Sequence, residues 1–189
     1  IAIAGYGFLA GKSVGMFLFI LGLAAVVSYQ LKLYTGTVGF VKVKEIPSLL
    51  IVLVGNILGC FLVSFIAKVD AAVDVQGAAV DILQSRLALG WWVCALKAIG
   101  CGILMSVAVH FARKGKEFGH WVPLLFAVPL FIHCGFPHCV ADAFYFLACP
   151  SSVLMENGWE LLCVYVSIVI GNSVGCNLYR WILPMKNCE

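Results

Sequence analysis

Apolar runs of roughly 20 residues, Val14–Leu33, Ile46–Ala67, Leu87–Ala112, Trp121–Ala148 and Trp159–Leu183, occupy most of this chain, and a helix needs about that length to cross the hydrocarbon of a bilayer. Backbone groups inside lipid find no water to bond, so such runs must close their hydrogen bonds within themselves. With 63% hydrophobic and 11% charged residues in 189, the chain holds more apolar surface than a soluble domain could bury. It reads as an all-α integral membrane protein. A further apolar stretch, Ile1–Ala10, reaches only half-way across at about 1.5 Å per residue. It is read as a truncated first span, and not as a signal peptide, because no basic segment precedes it.

Two spans are interrupted. Phe131-Ile132-His133-Cys134-Gly135-Phe136-Pro137-His138-Cys139-Val140-Ala141-Asp142 places Gly, Pro, two His and an Asp inside an apolar run, and Leu33-Tyr34-Thr35-Gly36-Thr37 closes another with polar and β-branched residues. Irregular backbone at that depth is tolerated where it faces protein or a water-filled cavity. After the first break a short continuation is expected from Val38. The span following each break carries G-N-x-x-G-C, at Gly55–Cys60 and Gly171–Cys176. This is the mark of an internal repeat. Because each unit holds three spans, the second is inverted with respect to the first, and inverted repeats place a site between two broken helices near the midplane. Repeat one takes 1–67 and repeat two 87–183, and the weakly polar outer loop 68–86 between them has room for a short surface helix. The Gly pairs read as close helix-packing faces.

Charge sets the orientation. Lys42, Lys44, Arg113, Lys114, Lys116, Arg180 and Lys186 fall on one side, and only Lys12, Lys68 and Arg86 on the other. The more basic side, with the C-terminus, is expected in the cytoplasm of a multi-pass cell-membrane protein. Topology therefore accounts for the net charge of +3, and no nucleic-acid partner is needed. Most of the Cys lie inside the apolar runs, where they act as small hydrophobes; only Cys149 and Cys188 stand near span ends. The five Trp sit near span ends as interface anchors.

Gly135-Phe136-Pro137-His138-Cys139-Val140-Ala141-Asp142 resembles the signature G-F-x-H-x-x-A-N of the formate/nitrite transporter family, with Asp142 for the last residue. Lys32-Leu33-Tyr34-Thr35-Gly36-Thr37 matches the family's first break apart from its leading acid, and both G-N-x-x-G motifs fit. The resemblance covers essentially the whole chain. It implies a six-span aquaporin-like bundle of two inverted three-helix repeats, assembled as a homopentamer with one pore per protomer. The pore would pass formate, nitrite or hydrosulfide, without enzyme activity or cofactor. On the same resemblance Phe19, Leu23, Leu33 and Phe131 match the apolar constriction, Thr35 and His138 the central pair with Asn172 nearby, and Arg86 a basic vestibule residue. Lys32, Gly102 and Asp142 depart from the family pattern, and Lys97 adds a charge that it lacks.

The residues also suggest how a charge could pass. A bare anion among Phe and Leu side chains carries a large desolvation cost, whereas its neutral acid does not. An approaching anion favours the imidazolium of His138, which links binding to protonation. Protons therefore join small monovalent anions and the lipid bilayer as expected partners. A lone intramembrane His is ordinarily a packing residue; the break and its partner point His138 to function, while His133 is read as structural. Lys97, Lys32 and Arg86 are candidates for attracting anions, and Lys32 with Asp142 is an expected ion pair across the two breaks. Rival readings are an aquaporin-like pore for neutral solutes, a His/Cys metal site and a non-conducting fragment.

Overall fold

The computed structural model describes residues 1–70, 74–114 and 121–182, and the regular structure among them is helical. In chain order the α-helices are α1 (Ala2–Ala10), α2 (Lys12–Ser28), α3 (Ile46–Val69), α4 (Val75–Lys114), α5 (Val122–His133), α6 (Cys139–Ala148), α7 (Ser151–Glu156) and α8 (Gly158–Ile182), with a 3-10 turn at Val43–Glu45 before α3. Ile46–Val69, Val75–Arg113 and Gly158–Ile182 are long and apolar enough to cross a membrane, while Val14–Ser28, Val122–His133 and Cys139–Ala148 are shorter apolar helices. The expected spans become helices close to their sequence limits. Trp121–Ala148 divides into α5 and α6 around Gly135 and Pro137.

The helix in the outer loop is longer than the short surface helix for which the sequence leaves room, and it is docked by a buried face. Asp74 caps a new helix, its carboxylate accepting the Gly77 N–H at 2.8 Å. Val75, Ala79 and Leu83 follow at one-turn spacing and are fully buried, an apolar stripe that docks the segment as a helix. At Gly90 the backbone turns to φ 72°, ψ 165°, a left-handed conformation that glycine adopts without steric cost. α4 is therefore two helices, 75–89 and 91–114, meeting at a glycine. The continuation expected from Val38 is not helical either. Residues 35–40 are turns, and the Val38 N–H closes a single loop on the Tyr34 carbonyl at 2.8 Å.

Small residues bring the second half of α4 against α8. A Cβ on Gly171 would strike the carbonyl of Ala95, and one on Gly175 that of Ile99. Close backbone approach of this kind is how helices associate in lipid. Gly102 presses on the Asn172 carbonyl, so a side chain in place of this glycine has no room. Gly55 and Gly59 behave otherwise: open space lies over both. Among the described residues, the packing expected of the two Gly pairs is realised at Gly171 and Gly175.

The two ends of the bundle are distinct. Arg180 Nη1 donates to the Val41 carbonyl at 2.9 Å, and the His110 ring stacks on Phe40 and meets Tyr179 edge-on. Lys42, Lys44, Arg113 and Arg180 thus gather at one end. Gln76 Nε2 donates to the Lys68 carbonyl at 3.3 Å at the other. Lys116, Leu183, Lys186 and Cys188, used in the sequence reading, lie outside the described residues.

Candidate functional site

Both breaks begin with the same backbone device. At the end of α5, Gly135 N–H donates to Ile132 O at 3.0 Å and Phe136 N–H to Phe131 O at 2.9 Å, with Gly135 at φ 62°. At the end of α2, Gln30 N–H donates to Val27 O at 3.2 Å and Leu31 N–H to Val26 O at 2.8 Å, with Gln30 at φ 52°. This pair of bonds is the Schellman helix end, which satisfies carbonyls that the stopped helix would leave bare.

An asparagine then holds each broken strand of backbone. Asn172 Oδ1 accepts the Cys139 N–H at 2.8 Å, and its Nδ2 donates to the carbonyls of Pro137 at 3.0 Å and Ala98 at 2.9 Å. Asn56 Oδ1 accepts the Tyr34 N–H at 2.9 Å and its Nδ2 donates to the Lys32 carbonyl at 3.1 Å. Each Asn of the G-N-x-x-G-C motif therefore serves a carbonyl and an N–H two residues apart. The motif's closing Cys crosses over: Cys60 Sγ donates to Val140 O at 3.3 Å, and the one Cys176 S–H is shared between Thr35 O and Gly102 O, each at 3.3 Å.

Asn172, expected at the pore centre, is fully buried and both ends of its amide bind backbone. It shapes the centre from behind. Replacing it with alanine leaves one N–H and two carbonyls without this partner, and is expected to destabilise the protein by about 2–3 kcal/mol. Thermal unfolding of the purified variant in detergent measures that loss.

His138 is the N-cap of α6, in extended conformation with φ −120° and ψ 115°. Its Nδ1 accepts the Ala141 N–H at 3.2 Å, which fixes the ring as the neutral tautomer carrying its proton on Nε2. Nε2 lies 2.9 Å from Thr35 Oγ1, so the ring donates and the Thr35 hydroxyl accepts. That hydroxyl keeps its own hydrogen. The two breaks meet through this bond, and both residues are buried.

Asp142 stands one turn into α6. Its Oδ2 accepts the His138 N–H at 2.7 Å, so cap and carboxylate satisfy each other's termini in the manner of a capping box. Its Oδ1 accepts Arg86 Nε–H at 2.7 Å, and Arg86 Nη1 donates to the Gly135 carbonyl at 3.1 Å. This corrects the expected pairing with Lys32. The breaks do abut, but Lys32 is exposed and lines a different cavity with Leu31, Gly55 and Asn56. Arg86, carried in by the docked helix 75–89, takes the carboxylate instead.

A cavity of about 500 Å³ opens above His138. Arg86, Lys97 and Asp142 give it charge, Phe131, Phe136 and Tyr145 give it aromatic walls, and Gly135 and His138 form part of its lining. Behind it Phe131 lies between two rings, 5.8 Å from His138 and 5.8 Å, edge-on, from Phe19. Phe19, Leu23, Leu33 and Phe131 are all buried, and of these four only Phe131 lines the cavity. His133, near the end of α5, is exposed. Sequence reasoning missed the clamp role of Asn56 and the length and buried face of the helix that delivers Arg86. The latter was signalled by the spacing of Val75, Ala79 and Leu83.

A family model described as the formate/nitrite transporter matches residues 2–185. A solved structure, a pentameric formate channel with formate bound, is similar in fold with a TM-score of 0.75 at 21% identity, covering 96% of this chain and 88% of that one. The chain belongs to the formate/nitrite transporter family.

Proposed function

We propose that the protein is a channel or transporter for small monovalent anions, with formate, nitrite and hydrosulfide as the substrate class, and that His138 links the flux to protons. The observation that carries this reading is the Thr35–His138 bond at the floor of a cationic cavity. Arriving anions leave water among aromatic rings and meet the hydrogen of the Thr35 hydroxyl, which the bond from His138 Nε2 leaves free to donate. Hydrogen bonds to a charged group are the stronger ones and offset part of the desolvation. Protonation of His138 at Nδ1 displaces the Ala141 N–H, so taking up a proton loosens the cap that holds the ring. A proton gained there or from cavity water compensates the anion's charge as it crosses the Phe19–Phe131 barrier.

Two inverted three-helix repeats, 1–67 and 87–183, fit the matched Schellman ends, the matched Asn clamps and the crossed thiol bonds. The likeness to a pentameric formate channel supports a homopentamer with a pore in each protomer. The end bearing Lys42, Lys44, Arg113 and Arg180 is assigned to the cytoplasm of the cell membrane by its positive charge. In proteoliposomes, influx of formate, nitrite and hydrosulfide at two pH values tests the reading. Anion flux that rises with proton supply in the wild type, and loses its pH dependence in His138→Asn, is the expected result. Flux of neutral solutes alone would replace this reading with an aquaporin-like pore.

A further inference from the structure

Charge in the cavity is unevenly compensated. Arg86 is neutralised by Asp142 at 2.7 Å, and its Nε–H and one Nη1–H are taken by that carboxylate and the Gly135 carbonyl. Lys97 lines the same cavity, with its Nζ 3.6 Å from the point where a Cβ on Gly135 would stand. Among the described residues no carboxylate lies within ion-pair distance of it. His138 is held neutral by the Ala141 N–H. The groups facing Lys97 across the cavity are thus a closed ion pair, a neutral imidazole and the Tyr145 phenol. The cavity's net positive charge is that of Lys97.

We infer that Lys97 is the anion-binding residue of this cavity, holding a small monovalent anion at its ammonium group beside the left-handed turn of Gly135, while Arg86 is a positioning residue that acts through Asp142. This inference rests on the proposed anion transport and names the residue that supplies its affinity. The aromatic walls sharpen it. Phe131 and Phe136 limit water around the ammonium, and a less hydrated charge pair attracts more strongly than one in bulk water. Gly100 makes the wall possible, since a Cβ there would press into the Phe136 ring at 2.7 Å.

The experiment is saturation of nitrite influx in proteoliposomes of the pentamer or whatever assembly the wild type forms, for wild type, Lys97→Gln and Lys97→Arg. Half-saturating nitrite is expected to rise about tenfold in Lys97→Gln, the effect of losing one modestly screened charge contact, and to stay within about twofold in Lys97→Arg. Raising ionic strength with an impermeant salt should weaken half-saturation in the wild type and leave Lys97→Gln nearly unmoved. Lys97→Met, which keeps the apolar stem, replaces the Gln variant if that one does not elute with the wild type on size exclusion. Unchanged half-saturation in the neutral variant, beside a wild type that saturates, overturns the assignment of Lys97 alone. A wild type that carries no anion overturns the proposed function and this inference with it.

Discussion

Replacing Asp142 with alanine is expected to destabilise the protein by about 3–5 kcal/mol, the range for removing one partner of a buried ion pair. The carboxylate serves two groups at once, Arg86 Nε and the His138 N–H, at 2.7 Å each, and it is itself almost wholly buried, as is most of the Arg86 side chain, 11% exposed. Its removal strands a guanidinium and bares the N–H of His138, the N-cap of α6, whose ring the site depends on. Arg86→Leu added to Asp142→Ala should recover much of the loss, because no charge then remains unpaired. Asp142→Asn, the residue usual in the family signature, keeps one acceptor oxygen and should fall between. Thermal unfolding in detergent of both singles and the double gives the coupling. Additive losses would show that the two residues do not act as a pair.

Thr35→Val is expected to reduce nitrite or formate flux by about 10- to 100-fold, equivalent to losing a hydrogen bond to a charged group. The Thr35 hydroxyl accepts from His138 Nε2 at 2.9 Å, and its hydrogen is left to point elsewhere. A valine of nearly the same shape removes acceptor and donor together. The ring then has no partner at Nε2, while its Nδ1 bond to the Ala141 N–H stays. Thr35→Ser restores the hydroxyl and should keep flux within a few-fold of wild type. Equal losses in Val and Ser would locate the effect in the methyl's packing against its neighbours and remove the hydroxyl from the mechanism.

Much of this arrangement is legible in the sequence. Apolar runs gave the helices because length and hydropathy decide what crosses lipid, and a His and a Thr inside broken spans stood out because lipid has no use for them. The misreadings share a cause. Lys32 and Asp142 were paired because both flank the breaks, yet neighbouring breaks leave side chains free to point to opposite faces of the backbone. Asp74, Gln76, Asp81, Gln84 and Ser85 make the segment before Arg86 read as a polar loop with at most a short surface helix. Its buried stripe is one residue wide per turn, and a window average dilutes so narrow a signal. Asn56 and Asn172 were visible as a repeated motif, but their bonds go to backbone atoms that every residue possesses. Side-chain identity does not say which ones.

The crossed thiols have a mechanical meaning. Cys60 is built into α3 and bonds beside the second break, at Val140; Cys176 is built into α8 and bonds at the first, on Thr35. Asn56 and Asn172 fasten those same helices to the other break in each case. Each break is thereby laced to both helices, and the four ties form a closed ring. Pulling the breaks apart would have to snap ties on both sides together, so the centre behaves as a hoop. The Phe19 and Phe131 rings lie outside the hoop, held by packing alone and not by its ties.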